Sequence, residues 1–270
     1  MATSMKFNKR CTVRSTSFPS TLHPSACKIE EGLTRIRSWE AEASDVLTAD
    51  TVCDGLCRLG ELYKYTDEFL NLPLTQQALS HHQNEKCVNE LMDKSVRLLD
   101  ICGNTRDVMS EIKVHARELL SALRRKKGDS SAEFAAFRKA INKDSKKLTA
   151  SLKQVDTKSS VLEIFDQDQH LGAVIRSLKE VTAASVSVFQ SVLLFLSTPI
   201  LKPKATTKWL QVSKLMHKGA VSSEDQQHDV NEVDRVKTLE SDVEGIENGL
   251  ESMFRHFIRT RASLLNIVSQ

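Results

Sequence analysis

Glycine and proline are scarce in this chain, at nine and five residues in 270, and only two tryptophans and two tyrosines are present. A β-sandwich or barrel needs frequent turns and the residues that make them, whereas long helices need little punctuation. The composition therefore excludes an ordinary all-β fold and points to an all-α one. The formal net charge is only +3, which gives no global case for nucleic-acid binding. There is no G-x-G-x-x-G, no G-x-x-x-x-G-K-[ST] and no H-E-x-x-H, so nucleotide cradles and zincin-type metal sites have no support. The six cysteines (Cys11, Cys27, Cys53, Cys57, Cys87, Cys102) are scattered through the first 102 residues, and no secretory apolar stretch precedes them. A secreted disulfide scaffold is shorter and denser in cysteine, so reduced thiols in an intracellular protein are expected.

Apolar residues recur at helical spacing almost everywhere after residue 25. Ile29, Leu33, Ile36 and Trp39 mark a first amphipathic helix, with Ser25 as a candidate N-cap. Val52, Leu56, Leu59, Leu62, Tyr63, Phe69 and Leu70 mark a second, stopped before Pro73. Thr75–His81 reads either as a short turn or as the beginning of the next helix. From Val88 to Leu123 an a/d/e pattern persists over five heptads, which predicts one helix of about 40 residues and roughly 60 Å. Gly103 and the polar pair Thr105–Arg106 interrupt its stripe, yet the register resumes in phase, so a bend is expected rather than a break.

A fourth helix follows GDSS (128–131) through Phe134, Phe137, Ile141, Leu148, Leu152 and Val155. A fifth spans about 168–197, and the last runs from about Asn231 to Val268. Between them lie the amphipathic piece KWLQVSKLMHK and a polar stretch, 219–230, read as a loop. The expected architecture is a leader, 1–25, followed by one domain, 26–270. That domain is an elongated, partly coiled-coil-like bundle of five to six long amphipathic helices. Within the fifth helix, Val181–Leu201 carries no charge for 21 positions, long enough to span a bilayer. It also holds four serines, two threonines and Gln190 among its first 18 residues, and ends beyond Pro199, which favours a buried core helix over a membrane-embedded one.

Few side chains stand out as chemistry. His81, His82 and Cys87 are the nearest approach to a metal site, but adjacent histidines on a helix diverge and no second ligand pair follows. Cys53 and Cys57 are spaced i,i+4, wrong for a C-x-x-C redox pair, and are expected in the core. Neither a catalytic site nor a cofactor is expected. Arg124, Arg125, Lys126 and Lys127 close the third long helix. Cations there favour the negative end of the helix dipole, with a nuclear-import signal or an anion-facing patch as sharper alternatives. In KWLQVSKLMHK, Trp209, Val212, Leu215 and Met216 share one side, suited to packing on the bundle, to a partner's groove or to a membrane surface.

The leader holds nine serines or threonines and five basic residues in its first 29 positions, and no acid before Glu30. That is transit-peptide composition, without a clear amphipathic stretch. Its segment Arg14-Ser15-Thr16-Ser17-Phe18-Pro19 also fits R-S-x-S-x-P, the arrangement that 14-3-3 proteins read once the second serine is phosphorylated.

The blocks VRSTSFPSTLHP, LPLTQQALSHH, EKCVNELMDKSVRLLDICGNTRDV, LLSALRRKKG, WLQVSKLMHK and FRHFIRTRASLLNIVSQ resemble those of a plant-specific BYPASS-like family, over residues 13–270. The resemblance implies a helical plant protein linked by name to root and shoot development, with no catalytic residues to carry over. It also implies a family-like start, matched here by Arg14, Ser15, Ser17, Pro19, Ser20, His23 and Pro24, which suits a protein-read element better than a transit peptide. The expectation is a non-enzymatic adaptor with protein partners, possible 14-3-3 docking at phosphorylated Ser17 and no nucleic acid. A membrane-associated protein held by 181–201 is the alternative. The expected compartment is the cytoplasm, with nucleus, plastid and membrane surface as alternatives and the oligomeric state open.

Overall fold

Among the described residues, each amphipathic helix packs its apolar stripe against another. The computed structural model describes residues 24–43, 47–83, 85–124, 130–155, 169–197 and 225–269. These form seven helices: α1 (Pro24–Ala43), α2 (Ala49–Leu70), α3 (Pro73–His81), α4 (Lys86–Arg124), α5 (Ser130–Val155), α6 (Gln169–Ser197) and α7 (Asp225–Val268). No strand occurs among the described residues, and the fold is all-α as expected. Six helices are long; the seventh is the nine-residue α3, which resolves the Thr75–His81 ambiguity in favour of a separate helix.

Local chemistry sets the boundaries. Thr48 caps α2, its hydroxyl accepting from the Thr51 N–H at 3.1 Å. Asn71 ends α2, and Pro73 opens α3 at a position where a missing N–H costs nothing. The same property of proline places Pro24 in the first turn of α1, so Ser25 is a buried residue inside that helix rather than its N-cap. The last helix begins at Asp225, not near Asn231, so residues 225–230 of the expected polar loop are helical. That extra turn carries almost no apolar residue and hence no periodicity to reveal it, while its acids suit a helix N-terminus.

Helices α2, α7, α4 and α6 form the inner bundle, each against the next, with α1 on the α2–α6 edge, α5 on the α4–α6 edge and α3 at one end against α6 and α7. Buried residues from all seven helices join into one core, with Trp39, Phe189, Met109 and Ile112 among its largest fully enclosed members. α4 is one 39-residue helix, as predicted. Thr105 does not interrupt its buried stripe: the side chain is fully enclosed and its hydroxyl donates to the Ile101 carbonyl at 2.7 Å.

α6 is long and apolar enough, from His170 to Ser197, to cross a membrane. Within the bundle it touches α1, α2, α3, α4 and α5, and it buries Val181, Val188, Phe189, Val192 and Leu196, the pattern expected of a core helix. Residues 198–201 of the uncharged segment lie outside the described residues.

Candidate functional site

α7 carries the structure's most organised surface. Its buried positions run in heptads through Val236, Leu239, Val243, Ile246, Leu250, Met253, Phe257, Thr260, Leu264 and Ile267. One flank meets α4 and the other meets α2. On the α4 flank, Arg117 pairs with Glu240 at 2.6 Å, Lys113 with Glu247 at 2.7 Å and Arg106 with Glu251 at 2.5 Å. Numbers rise on one helix as they fall on the other, so the pair is antiparallel. Arg106 also lies over the Phe254 ring, 4.6 Å from its centroid.

The α2 flank is built differently. Cys53 faces Gly245, Leu56 faces Gly249, Gly60 faces His256 and Met253, and Asp67 meets Thr260. The numbers rise together, so these helices are parallel. Gly249 permits the close approach: a Cβ there would sit 2.9 Å from the Leu56 Cδ1 and 3.2 Å from its Cβ.

Polar groups are enclosed along this flank. The Thr260 hydroxyl donates to Asp67 Oδ1 at 2.7 Å, and the Arg259 guanidinium stands 3.8 Å from Asp67 Oδ2. Asp67 Oδ2 and His256 Nδ1 are buried without a hydrogen-bond partner. Burial raises the Asp67 carboxyl above its ordinary range, against the opposing pull of Thr260, Arg259 and His256. Burial likewise lowers the His256 imidazole, with Asp67 pulling the other way. Tyr63 packs edge-on to Phe257 with centroids 5.0 Å apart, and its hydroxyl lies 3.0 Å from Ser185 Oγ. Because Ser185 gives its own proton to the Val181 carbonyl, Tyr63 is the donor of that pair.

On the solvent side of the same helix lies a groove of about 350 Å³ lined by Asn248, Glu251, Ser252, Arg255, His256 and Arg259. A second groove of about 200 Å³, between α1 and α2, is lined by residues including Arg35, Asp54, Cys57, Arg58 and Glu61.

The sequence-predicted site residues fall largely elsewhere. Arg14, Ser15, Ser17 and Pro19 lie outside the described residues, as do Arg125, Lys126, Lys127, Trp209, Val212, Leu215 and Met216. Arg124 is exposed at the end of α4. Cys57 is exposed in the α1–α2 groove rather than in the core, while Cys53 is half-buried. Their shared i,i+4 face straddles the edge of the buried surface, so one thiol is covered and the other is not. His82 Nδ1 lies 2.9 Å from the Ala78 carbonyl, His81 is exposed and Cys87 is buried; no cluster of metal-ligating side chains occurs among the described residues. The five described cysteines carry no disulfide. Sequence reasoning missed Asp67, His256, Arg255 and Arg259; the available signal was the heptad of α7, which places Arg255 and Arg259 outward and Asp67's partner Thr260 inward.

No curated protein and no solved structure matches the chain. A family model described as "BPS1: Protein BPS1" matches residues 55–267, from within α2 almost to the end of α7, and so includes both flanks and the outer groove. Residues 55–267 are well over half of the sequence, so the chain belongs to the BPS1 family, the BYPASS-like family its sequence resembles, and is thereby linked to plant development.

Proposed function

We propose that the chain is a non-enzymatic helical adaptor of root and shoot development, which acts through protein–protein contact. The observation that carries this reading is the state of the interior's reactive groups. Burial pushes the Cys102 thiol up to about 12 and raises those of Cys53 and Cys87, away from the nucleophilic thiolate. Burial also raises the Tyr63 phenol. Groups disarmed in this way serve packing, and the functional surface is left to the outer faces of the helices and to the leader. Phosphorylated Ser17 is the proposed 14-3-3 contact.

Affinity purification from plant tissue, wild type beside Ser17→Ala, is expected to return a reproducible partner set from which only the 14-3-3 proteins are lost in the variant. Purified protein that turns over a metabolite, and loses that activity with one His or Cys substitution, overturns the reading. A phosphorylated peptide spanning 11–23 that binds no 14-3-3 protein better than its unmodified form removes the leader's part in it.

A second reading, membrane association through residues 181–201, is favoured by the length and composition of α6. Leu194 is 61% exposed, so Leu194→Lys leaves the core intact. Carbonate-resistant membrane retention that this substitution abolishes supports the membrane reading, and recovery of the wild type only with soluble proteins removes it.

A further inference from the structure

The two grooves differ in how far their arginines stand in solvent. In the α1–α2 groove Arg58 bonds Asp54 at 2.8 Å, and Arg35 and Lys64 flank Glu61 at 4.0 and 3.5 Å; the Arg58 and Arg35 side chains are 34% and 54% exposed. Glu251 is shared by Arg106 at 2.5 Å and Arg255 at 3.1 Å, which neutralises it twice over. Arg259 stands 3.8 Å from Asp67, whose other oxygen accepts from Thr260. Arg255 and Arg259 remain 75% and 67% exposed.

Asn248, Ser252, Arg255 and Arg259 stand at i, i+4, i+7 and i+11, one straight stripe about 16 Å long at helical rise. The two arginines are one turn apart, about 6 Å along the axis. Alternate residues of an extended peptide repeat at about 6.6–6.8 Å on one face. Two carboxylates spaced i,i+2 on such a peptide therefore meet both guanidiniums, each able to take a carboxylate through a forked pair of donors. Asn248 and Ser252, further along the stripe, are placed to bond the peptide's backbone.

We propose that the outer face of α7 from Asn248 to Arg259 is a docking groove for an acidic peptide segment of a partner protein, in extended form, with carboxylates at alternate positions. The proposal rests on the adaptor reading and names the partner chemistry for it. It is tested on the full chain by fluorescence anisotropy with a labelled Gly-Asp-Ala-Asp-Ala-Asp-Gly peptide. Saturable binding is expected, weakening as salt is raised. Arg255→Glu with Arg259→Glu is expected to weaken it at least about tenfold, while Arg35→Glu with Arg58→Glu in the other groove leaves it within about twofold. Circular dichroism melts check that both variants are folded, and Arg255→Gln with Arg259→Gln repeats the test if the Glu pair is not.

No binding by the wild type up to about 1 mM overturns the proposal. Equal losses from both pairs overturn it too, as does tighter binding of the peptide with phosphoserine in place of aspartate and none of the aspartate form. Failure of the peptide leaves the partner set from plant tissue untouched, so the groove and the adaptor reading fail separately.

Discussion

The flank of α7 that meets α4 and the flank that meets α2 use charge in opposite ways. Along α4, acids and bases sit at the solvent margin of an apolar seam, as in Arg117 with Glu240 and Arg106 with Glu251. Along α2, the glycines draw the backbones together and an acid is enclosed with a single good hydrogen bond, Asp67 to Thr260. Marginal ion pairs set register and orientation at small net gain, whereas an enclosed carboxylate costs free energy unless its partners are complete. The same helix thus has one flank whose charges are nearly neutral in stability and one whose stability depends on protonation.

Removal of the shared apolar anchor is expected to cost most. Phe257 lies between Tyr63 and Phe189, and Phe257→Ala should destabilise the fold by about 3–5 kcal/mol in urea titration. Gly249→Val, which thrusts atoms onto Leu56, should cost about 1–3 kcal/mol and separate α2 from α7, raising amide exchange there before it rises along α4. Thr260→Val leaves Asp67 without its donor and should cost about 1–3 kcal/mol at neutral pH. Lys113→Met, on the other flank, should change stability by at most about 1 kcal/mol. A Lys113→Met effect larger than that of Thr260→Val would reverse the comparison.

Acid sharpens it further. The folded state raises Asp67 above its ordinary 3.8, so it holds the proton better than the unfolded chain does. The group's contribution is therefore fully present below 3.8 and is lost as pH rises through the folded value. Asp67→Asn, which can still accept from Thr260, should stabilise the protein at pH 7, with the gain fading on acidification. His256 is lowered from 6.5, so its contribution is present above 6.5 and is lost as pH falls through the folded value. His256→Gln should flatten the loss that begins near that pH. Unfolding free energies measured from about pH 4 to 8 check both signs.

The helices were legible because each buries one stripe and writes it as a period; α4 and the heptad of α7 could be read residue by residue. α3 and the first turns of α7 were not, the one too short and the other too polar to show a period. Asp67 reads in the sequence as one more acid on a helix, since its partner Thr260 is 193 positions away and no local rule joins them. Cys57 was misplaced for a related reason. Spacing says which residues share a face, but the width of the covered surface depends on how many neighbours a helix has. The outer groove combines both difficulties: its helix face was readable, but the approach of Arg259 to Asp67 of α2 joins residues far apart in sequence.

The order of synthesis meets the parallel pairing of α2 with α7 at an awkward point. α7 leaves the ribosome after the six helices it must complete, and its contacts to α2 and α4 span 193 and 148 positions at Asp67–Thr260 and Cys102–Leu250. Until then the face of α2 that receives α7 and the apolar seam of α4 have no cover, for a time set by the elongation rate. Contacts so distant in sequence also make slow folding steps. The nascent chain is therefore most open to chaperones, and to aggregation, in the interval before α7 arrives.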